Sequence, residues 1–340
     1  MRGKVPDVMP LAKSPTPNPS RQGRGVKVKA DPKPGPCATT MIPIHGLRLR
    51  AVLIQALRNF FIDRGYLEVE TPLRIPAPAP EAHIVPLSSE SWYLQTSPEL
   101  CMKRLLAAGI PKLFQICKCF RKGERGDRHL PEFTMLEWYG AGSDYLGLMA
   151  DCEALLRYLA AAMDKGGVLA WQGRKIALDP EWERITVAEA FRRYAPCSME
   201  EALVRDRFDE LLVEYVEPHL GLITPTFLYD YPAELGALAR LSPVDPTVAE
   251  RFELYVAGLE LANGFSELVD SAEQRVRFLA EQEGIRLQGR EPGPMPEVFL
   301  AGLETMPSAA GIALGVDRLV MLFAGADHID QVVAFMPEGL

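Results

Sequence analysis

The stretch from Phe120 to Tyr139, FRKGERGDRHLPEFTMLEWY, brings together an arginine, a glycine-bearing loop of mostly basic charge, an aromatic ring, a carboxylate and a phenol. Arg121 can clamp a phosphate, Phe133 can stack on a flat base, and Glu137 and Tyr139 can hold an amine. Such a set outlines an adenylate-forming site. Taken alone, an exposed hairpin with ordinary charges is the competing reading. Two further segments carry chemistry-bearing types. In GLELANGFSEL, Glu260 and Glu267 are seven residues apart, a spacing that puts them on opposite faces of an unbroken strand. A bulge or turn at Asn263-Gly264 would reset the alternation and let both carboxylates converge on Mg²⁺. In GIALGVDRL, Gly315 permits close backbone approach and Arg318 stands in the first turn of a helix, where it can stack on a base or hold phosphate.

These residues need elements to position them. Phe114, Ile116 and Phe120 alternate with Gln115, Cys117, Cys119 and Arg121, while Phe133, Met135, Glu137 and Tyr139 share a face, so two strands flank the loop from Lys122 to Pro131. Leu49, Val52, Leu53, Ala56, Leu57, Phe60 and Phe61 predict an amphipathic helix stopped by Gly65, with a strand over Leu67, Val69 and Thr71 after it. Thr96-Ser97-Pro98-Glu99 opens a second helix that Gly109 stops, and its N-terminus can face a ligand. From Gly140 to Leu222 the signals are mostly helical, with capping boxes at Thr186 to Glu189 and Ser198 to Glu201. Strands are predicted over Thr226 to Tyr231, Phe252 to Glu260, Phe265 to Leu268 and Gly311 to Val316. Helices are predicted from Ser271, from Glu297 and from Asp317.

The chain of 340 residues is 48% hydrophobic and 24% charged, which is ordinary globular composition. Six scattered cysteines without a CxxC argue against a disulfide frame or zinc site. There is no run of about 18 apolar residues and no signal-peptide stretch at the start, so a cytoplasmic protein is expected. Residues 1–40 hold eight prolines and eight Lys or Arg against two Asp, and the remaining 300 residues carry a net charge of −14. The tail is expected to be disordered, either a basic nucleic-acid arm or a stretch ahead of a start at Met41. One domain is expected over residues 41–340.

Taken together, Phe120 to Tyr139, Glu260 to Leu268 and Gly311 to Leu319 resemble motif 2, the segment before motif 3, and motif 3 of class II aminoacyl-tRNA synthetases, with the lysine-specific subgroup the nearest match. GYLEVETPLR, from Gly65 to Arg74, resembles motif 1, and TSPELCMKRLL, from Thr96 to Leu106, resembles the amino-acid-binding segment. Lysyl-tRNA synthetases carry an N-terminal anticodon-reading OB-fold, and the sequence leaves no room for one between its tail and motif 1. A catalytic domain of this kind standing alone resembles the elongation factor P lysine ligase family. The spellings HLPEFTMLEWY, LELANGFSEL and ALGVDRLVML carry that likeness.

The resemblance implies an α+β fold, an antiparallel sheet flanked by helices, and a homodimer through motif 1. It implies activation of (R)-β-lysine, or less well lysine, with ATP and Mg²⁺ as an aminoacyl adenylate, and transfer to a lysine side chain of elongation factor P, with tRNA an unexpected partner and no membrane involved. Arg121 would hold the α-phosphate, Phe133 would stack on adenine, and Arg318 would cover its other face or touch the γ-phosphate. Lys122, Gly123, His129, Leu130, Leu261 and Gly315 would line the ATP site. Glu260 would bind Mg²⁺, with Glu267 shared between metal and substrate. Ser97, Pro98, Glu99, Glu137, Tyr139, Glu267 and Ala313 would surround the amino acid, Glu99 and Glu137 at one amino group and Tyr139 and Glu267 at the other end. Ala313 replaces a glycine usual in lysyl-tRNA synthetases and would bias the pocket between isomers.

Two positions depart from the pattern. The glutamate that motif 2 usually has two residues after its arginine is Gly123 here, with Glu124 next, so either the loop has shifted by one or adenine is read by backbone alone. The usual asparagine before Pro-Glu-Phe is Leu130. A shortened lysyl-tRNA synthetase paralogue that still charges tRNA, and an inactive regulatory paralogue, are the alternative functions.

Overall fold

A computed structural model describes residues 44–340; the tail read above as disordered lies outside the described residues. The chain begins there with helix α1 (Ile44–Ile62), whose buried Leu53, Leu57, Phe60 and Phe61 repeat at the helical period expected of them. Short strands follow: β1 (Leu67–Glu68), β2 (Arg74–Ile75), β3 (Leu87–Ser89) and β4 (Trp92–Leu94). Helix α2 (Glu99–Ala107) then leads into β5 (Lys112–Phe120) and β6 (Glu132–Ala141), which pair antiparallel from Lys112 opposite Gly140 to Phe120 opposite Glu132. This is the expected hairpin. Along β6, Leu136 and Trp138 join the main core while Phe133, Met135, Glu137 and Tyr139 face a cavity. The period of two thus separates packing from chemistry.

After α3 (Tyr145–Ala162) come β7 (Val168–Trp171), β8 (Arg174–Ala177) and β9 (Glu183–Thr186), then α4 (Val187–Tyr194), α5 (Met199–Val204) and α6 (Phe208–Leu211). Thr186 and Ser198 cap α4 and α5 by accepting from the backbone N–H of Glu189 and Glu201, as their capping boxes predict. The three strands add to the mostly helical reading of this region, which named no strand. Each is only four residues long, and β7 and β8 form a separate hairpin whose Leu169, Trp171 and Ile176 bury against the core, so their period was too short to register.

The remaining strands are β10 (Thr226–Pro232), β11 (Val248–Val256), β12 (Leu259–Ser266) and β13 (Ala309–Gly315), with α7 (Ser271–Leu287), α8 (Glu297–Leu303) and α9 (Val316–Ala324) between and after them. A strand predicted to run unbroken through Glu260 is instead two strands joined at Ala257-Gly258, whose φ values of 55° and 74° suit a two-residue hairpin turn. Asn263-Gly264 makes no turn at all and lies in regular pairing inside β12. Gly264 is needed for a different reason: a Cβ there would sit 2.8 Å from the Phe252 ring. Helix α7 is capped by Asp270, whose side chain accepts from Ala272 and Glu273, rather than by Ser271.

Eight strands form one sheet in the order β1-β5-β6-β13-β12-β11-β10-β9, antiparallel inside and parallel only at the two edge pairs. The fold is α+β. Helices α1, α3 and α9 cover one face and build the largest apolar core with it, while on the other face the cavity opens between smaller clusters built with α2, α7 and α8 and with α4 to α6. The five cysteines among the described residues are free thiols.

Candidate active site

The cavity on the open face of the sheet has a volume of about 870 Å³ and is lined from β6, β11, β12, β13, the loop after β5 and helix α7. Its two ends differ in chemistry.

At one end stand the two arginines. Arg121, just past β5, lies with its guanidinium 5.2 Å from the Phe133 ring centroid and its backbone N–H bonded to Pro131. Arg318, in the first turn of α9, donates to the backbone carbonyl and a carboxylate oxygen of Glu260, at 2.7 and 3.1 Å. It also meets Nε2 of His129 at 2.6 Å. Desolvation and the Arg318 charge lower the His129 pKa to about 4, so this ring is neutral and accepts from the guanidinium. A buried carboxylate fixes the frame: Asp317 bonds the backbone N–H of Thr134 at 2.7 Å and Arg50 of α1 at 2.6 Å. The residue beside Phe133 is thereby tied to the residue beside Arg318.

The loop settles one departure from the motif. Gly123 has φ of 82°, a left-handed turn that a glycine adopts without strain, and Glu124 beyond it lines the cavity 3.9 Å from Arg121. Glutamate therefore reaches the site one position later. Lys122 and Gly123 themselves are exposed and do not line the cavity, whereas Leu130 is buried and does.

Glu260 corrects the carboxylate reading. A bulge does reset the alternation, but at Leu261: Tyr255 pairs with Glu260 and Leu254 with Ala262, leaving Leu261 as the extra residue. Glu260, Asn263 and Phe265 consequently all line the cavity. Glu267 continues the alternation but is not among the lining residues, and at roughly 3.3 Å per residue it lies about 20 Å farther along, too far to share an ion with Glu260. The carboxylate beside Glu260 is Glu253 of β11, which the sequence reading missed. Burial first, then the Glu260 charge, raises the Glu253 pKa, and its oxygens accept from Arg251 at 2.7 Å and from Tyr255 at 2.7 Å. Glu217 completes this acidic group by accepting from Tyr255 at 3.1 Å, and burial pushes its pKa up to about 7.

At the other end, Glu137 is 1% exposed and accepts from Ser97 at 2.6 Å and Tyr139 at 2.8 Å. Burial, then the Glu99 charge, raises its pKa to about 8. Pro98 is buried at the start of α2 and does not line the cavity, but it opens the helix whose first residue, Glu99, does. One turn later the same helix delivers Lys103, 1% exposed, with Nζ 2.5 Å from Glu99 and 2.5 Å from Glu267. Burial pushes the Glu267 pKa up while the Lys103 charge pulls it back toward the ionised form of the pair. Lys103 was legible only as the residue four positions after Glu99. Gly311 was not singled out either, yet a Cβ there would lie 2.1 Å from the Tyr139 ring and 2.4 Å from Oε1 of Glu267. At Gly315, by contrast, a Cβ would meet only the side chain of Arg318, at ordinary contact distance. Ala313 lines the cavity between Glu137 and Asn263 in the sheet. Glu81, from the loop after β2, also faces the cavity, and burial raises its pKa to about 7.

A sheet of this order with arginines at one end of its open face and buried carboxylates at the other can hold a polyanion next to a cationic substrate. The family model for class II tRNA synthetases (D, K and N) matches residues 44–338, and the chain belongs to that family. Among curated proteins it is 40% identical over 313 residues to the elongation factor P–(R)-β-lysine ligase of Klebsiella pneumoniae, covering 86% of this chain and 95% of that protein. It is 40% identical over 325 residues to the protein of the same name from Vibrio cholerae, with the same shares covered. With that of Sodalis glossinidius it is 42% identical over 315 residues, 87% of this chain and 96% of the relative.

Proposed function

We propose that this chain is an ATP-dependent ligase that activates (R)-β-lysine, and less well lysine, as an aminoacyl adenylate and passes the acyl group to a lysine side chain of elongation factor P. The names of its relatives point to the reaction and the acceptor. The observation in the molecule that carries the reading is the division of one cavity between Arg121 with Arg318 at one end and Glu99 and Glu137 at the other, with Glu267 buried behind them on Lys103. A diamino acid has two ammonium groups to be met by carboxylates, and ATP has phosphates to be met by guanidinium.

In this reading Phe133 and Arg318 take opposite faces of adenine, while Arg121 lies at the α-phosphate. Glu124 stands in for the glutamate usual in motif 2, and Leu130 in place of asparagine removes one polar contact to ATP. The substrate carboxylate attacks the α-phosphorus and pyrophosphate leaves, so no side-chain nucleophile is required. Rate comes from alignment and from neutralising charge that develops on the phosphoryl oxygens. The acceptor amine then attacks the acyl carbon, loses a proton and displaces AMP. Glu253 and Glu260 fit a divalent ion, being two neighbouring carboxylates that face the cavity beside Arg318. A bound Mg²⁺ would offset polyphosphate charge there, needing only one or two protein oxygens.

A homodimer accords with the exposed Leu47, Val52, Ile62, Leu67 and Leu73 on α1 and the motif 1 segment, an apolar set that a partner would cover. Among the described residues no helix is long and apolar enough to cross a membrane. We place the reaction in the cytoplasm, with ATP and its protein acceptor. Pyrophosphate exchange dependent on (R)-β-lysine tests the activation step: exchange is expected with this substrate, and its absence with every amino acid overturns the reading.

A further inference from the structure

Gln274 lies in the second turn of α7 and is 1% exposed, yet neither the oxygen nor the nitrogen of its amide has a partner among the described residues. A buried primary amide left wholly unpaired is costly and calls for a ligand. Its position says which. Gln274 lines the same cavity as Tyr139, Phe265 and Gly311, one helical turn before Phe278, whose ring packs in one apolar cluster with Tyr139 and Phe265. It therefore stands at the carboxylate end of the cavity, away from Arg318.

A second orphan lies at that end. Lys103 engages Oε2 of Glu267, while Oε1 has no partner and lies where a Cβ on Gly311 would touch it at 2.4 Å. Gly311 lines the cavity while Glu267 does not, so the free oxygen lies directly behind the wall at a residue that has no side chain to screen it. An ammonium has three N–H donors, and an unpaired carboxylate oxygen with an unpaired amide oxygen supplies two acceptors for it. We infer that Gln274 is a specificity-determining residue whose amide oxygen accepts from the ammonium at the far end of the diamino acid, alongside Oε1 of Glu267.

This rests on the proposed activation of a lysine. The test is pyrophosphate exchange by the full chain with lysine and with 2-aminohexanoic acid, the same carbon chain without the terminal amine. Thermal unfolding of each variant is followed in parallel. In Gln274→Met the kcat/KM preference for lysine over the analogue falls about tenfold or more, as when one hydrogen bond to a charged group is lost. The KM for ATP stays within about twofold. In Gln274→Glu, which adds charge at the same point, the preference rises. If Gln274→Met does not fold, Gln274→Glu decides alone. An unchanged preference in a folded variant, or a loss equal for both substrates, overturns the inference and leaves a packing role. A wild-type chain that exchanges with no diamino acid overturns instead the functional reading beneath it.

Discussion

Lys103 and Glu267 form a fully buried ion pair, Nζ to Oε2 at 2.5 Å, and the same ammonium holds Glu99 at 2.5 Å. The helix that brings Glu99 to the cavity and the strand end that carries Glu267 behind it are thus pinned together by a resident cation. Burial by itself would push the lysine toward neutrality, but the two carboxylates keep its pKa raised. Lys103→Met strips the counter-charge from two buried acids, and breaking a buried pair in this way costs about 3–5 kcal/mol. Thermal unfolding should show a large loss of stability, partly recovered by added lysine, whose ammonium can take the empty place. A variant as stable as the parent contradicts this role.

Burial and the Glu99 charge push the Glu137 pKa up to about 8, so near neutrality this carboxyl is largely protonated in the free chain. An ammonium binds the ionised form. The KM for lysine should therefore fall as pH rises from 6 to 8, and Glu137→Gln should flatten that fall. Stability runs the other way. A carboxyl whose folded pKa is raised favours folding most below its unfolded value of about 4.5, and that contribution is lost as pH rises toward 8. Unfolding of the ligand-free chain across this window checks the sign.

Glu253 and Glu260, rather than Glu267, are the pair suited to an ion. Glu253→Gln and Glu260→Gln should each raise the Mg²⁺ concentration for half-maximal exchange by about tenfold, in the range seen when a group orienting a metal site is lost. Glu267→Gln should leave it unchanged and raise the KM for lysine. A Mg²⁺ requirement shifted by Glu267→Gln alone would restore the pairing suggested by the sequence.

Arg121 is assigned to charge that grows on the α-phosphate. Arg121→Ala should cost about 3–4 kcal/mol in the activation step, the scale of losing one charge-stabilising donor. Single-turnover adenylate formation measures it, and an unchanged rate sinks the assignment.

Much of this architecture was legible because period and chemistry coincide in β6. Leu136 and Trp138 had to face a core, so Phe133, Met135, Glu137 and Tyr139 had to face the ligand. The bulge was legible as a need but not as a place. Asn-Gly is the usual turn signal, whereas here Gly264 serves close packing on Phe252 and the turn is made by Ala257-Gly258. That shift hid Glu253, since a strand continuing through Glu260 has no hairpin partner to bring a second carboxylate alongside. Lys103 and Gln274 were hidden for another reason. A lysine or glutamine on an amphipathic helix reads as a solvated position, and only tertiary packing turns it inward.

The activated lysine is expected to pass to a protein rather than to tRNA. Purified chain, ATP, Mg²⁺ and (R)-β-lysine are incubated with elongation factor P and, separately, with tRNA specific for lysine, and the products are weighed. Elongation factor P should gain the mass of one β-lysyl group on a lysine side chain while the tRNA stays uncharged. Charged tRNA beside unmodified elongation factor P would contradict it.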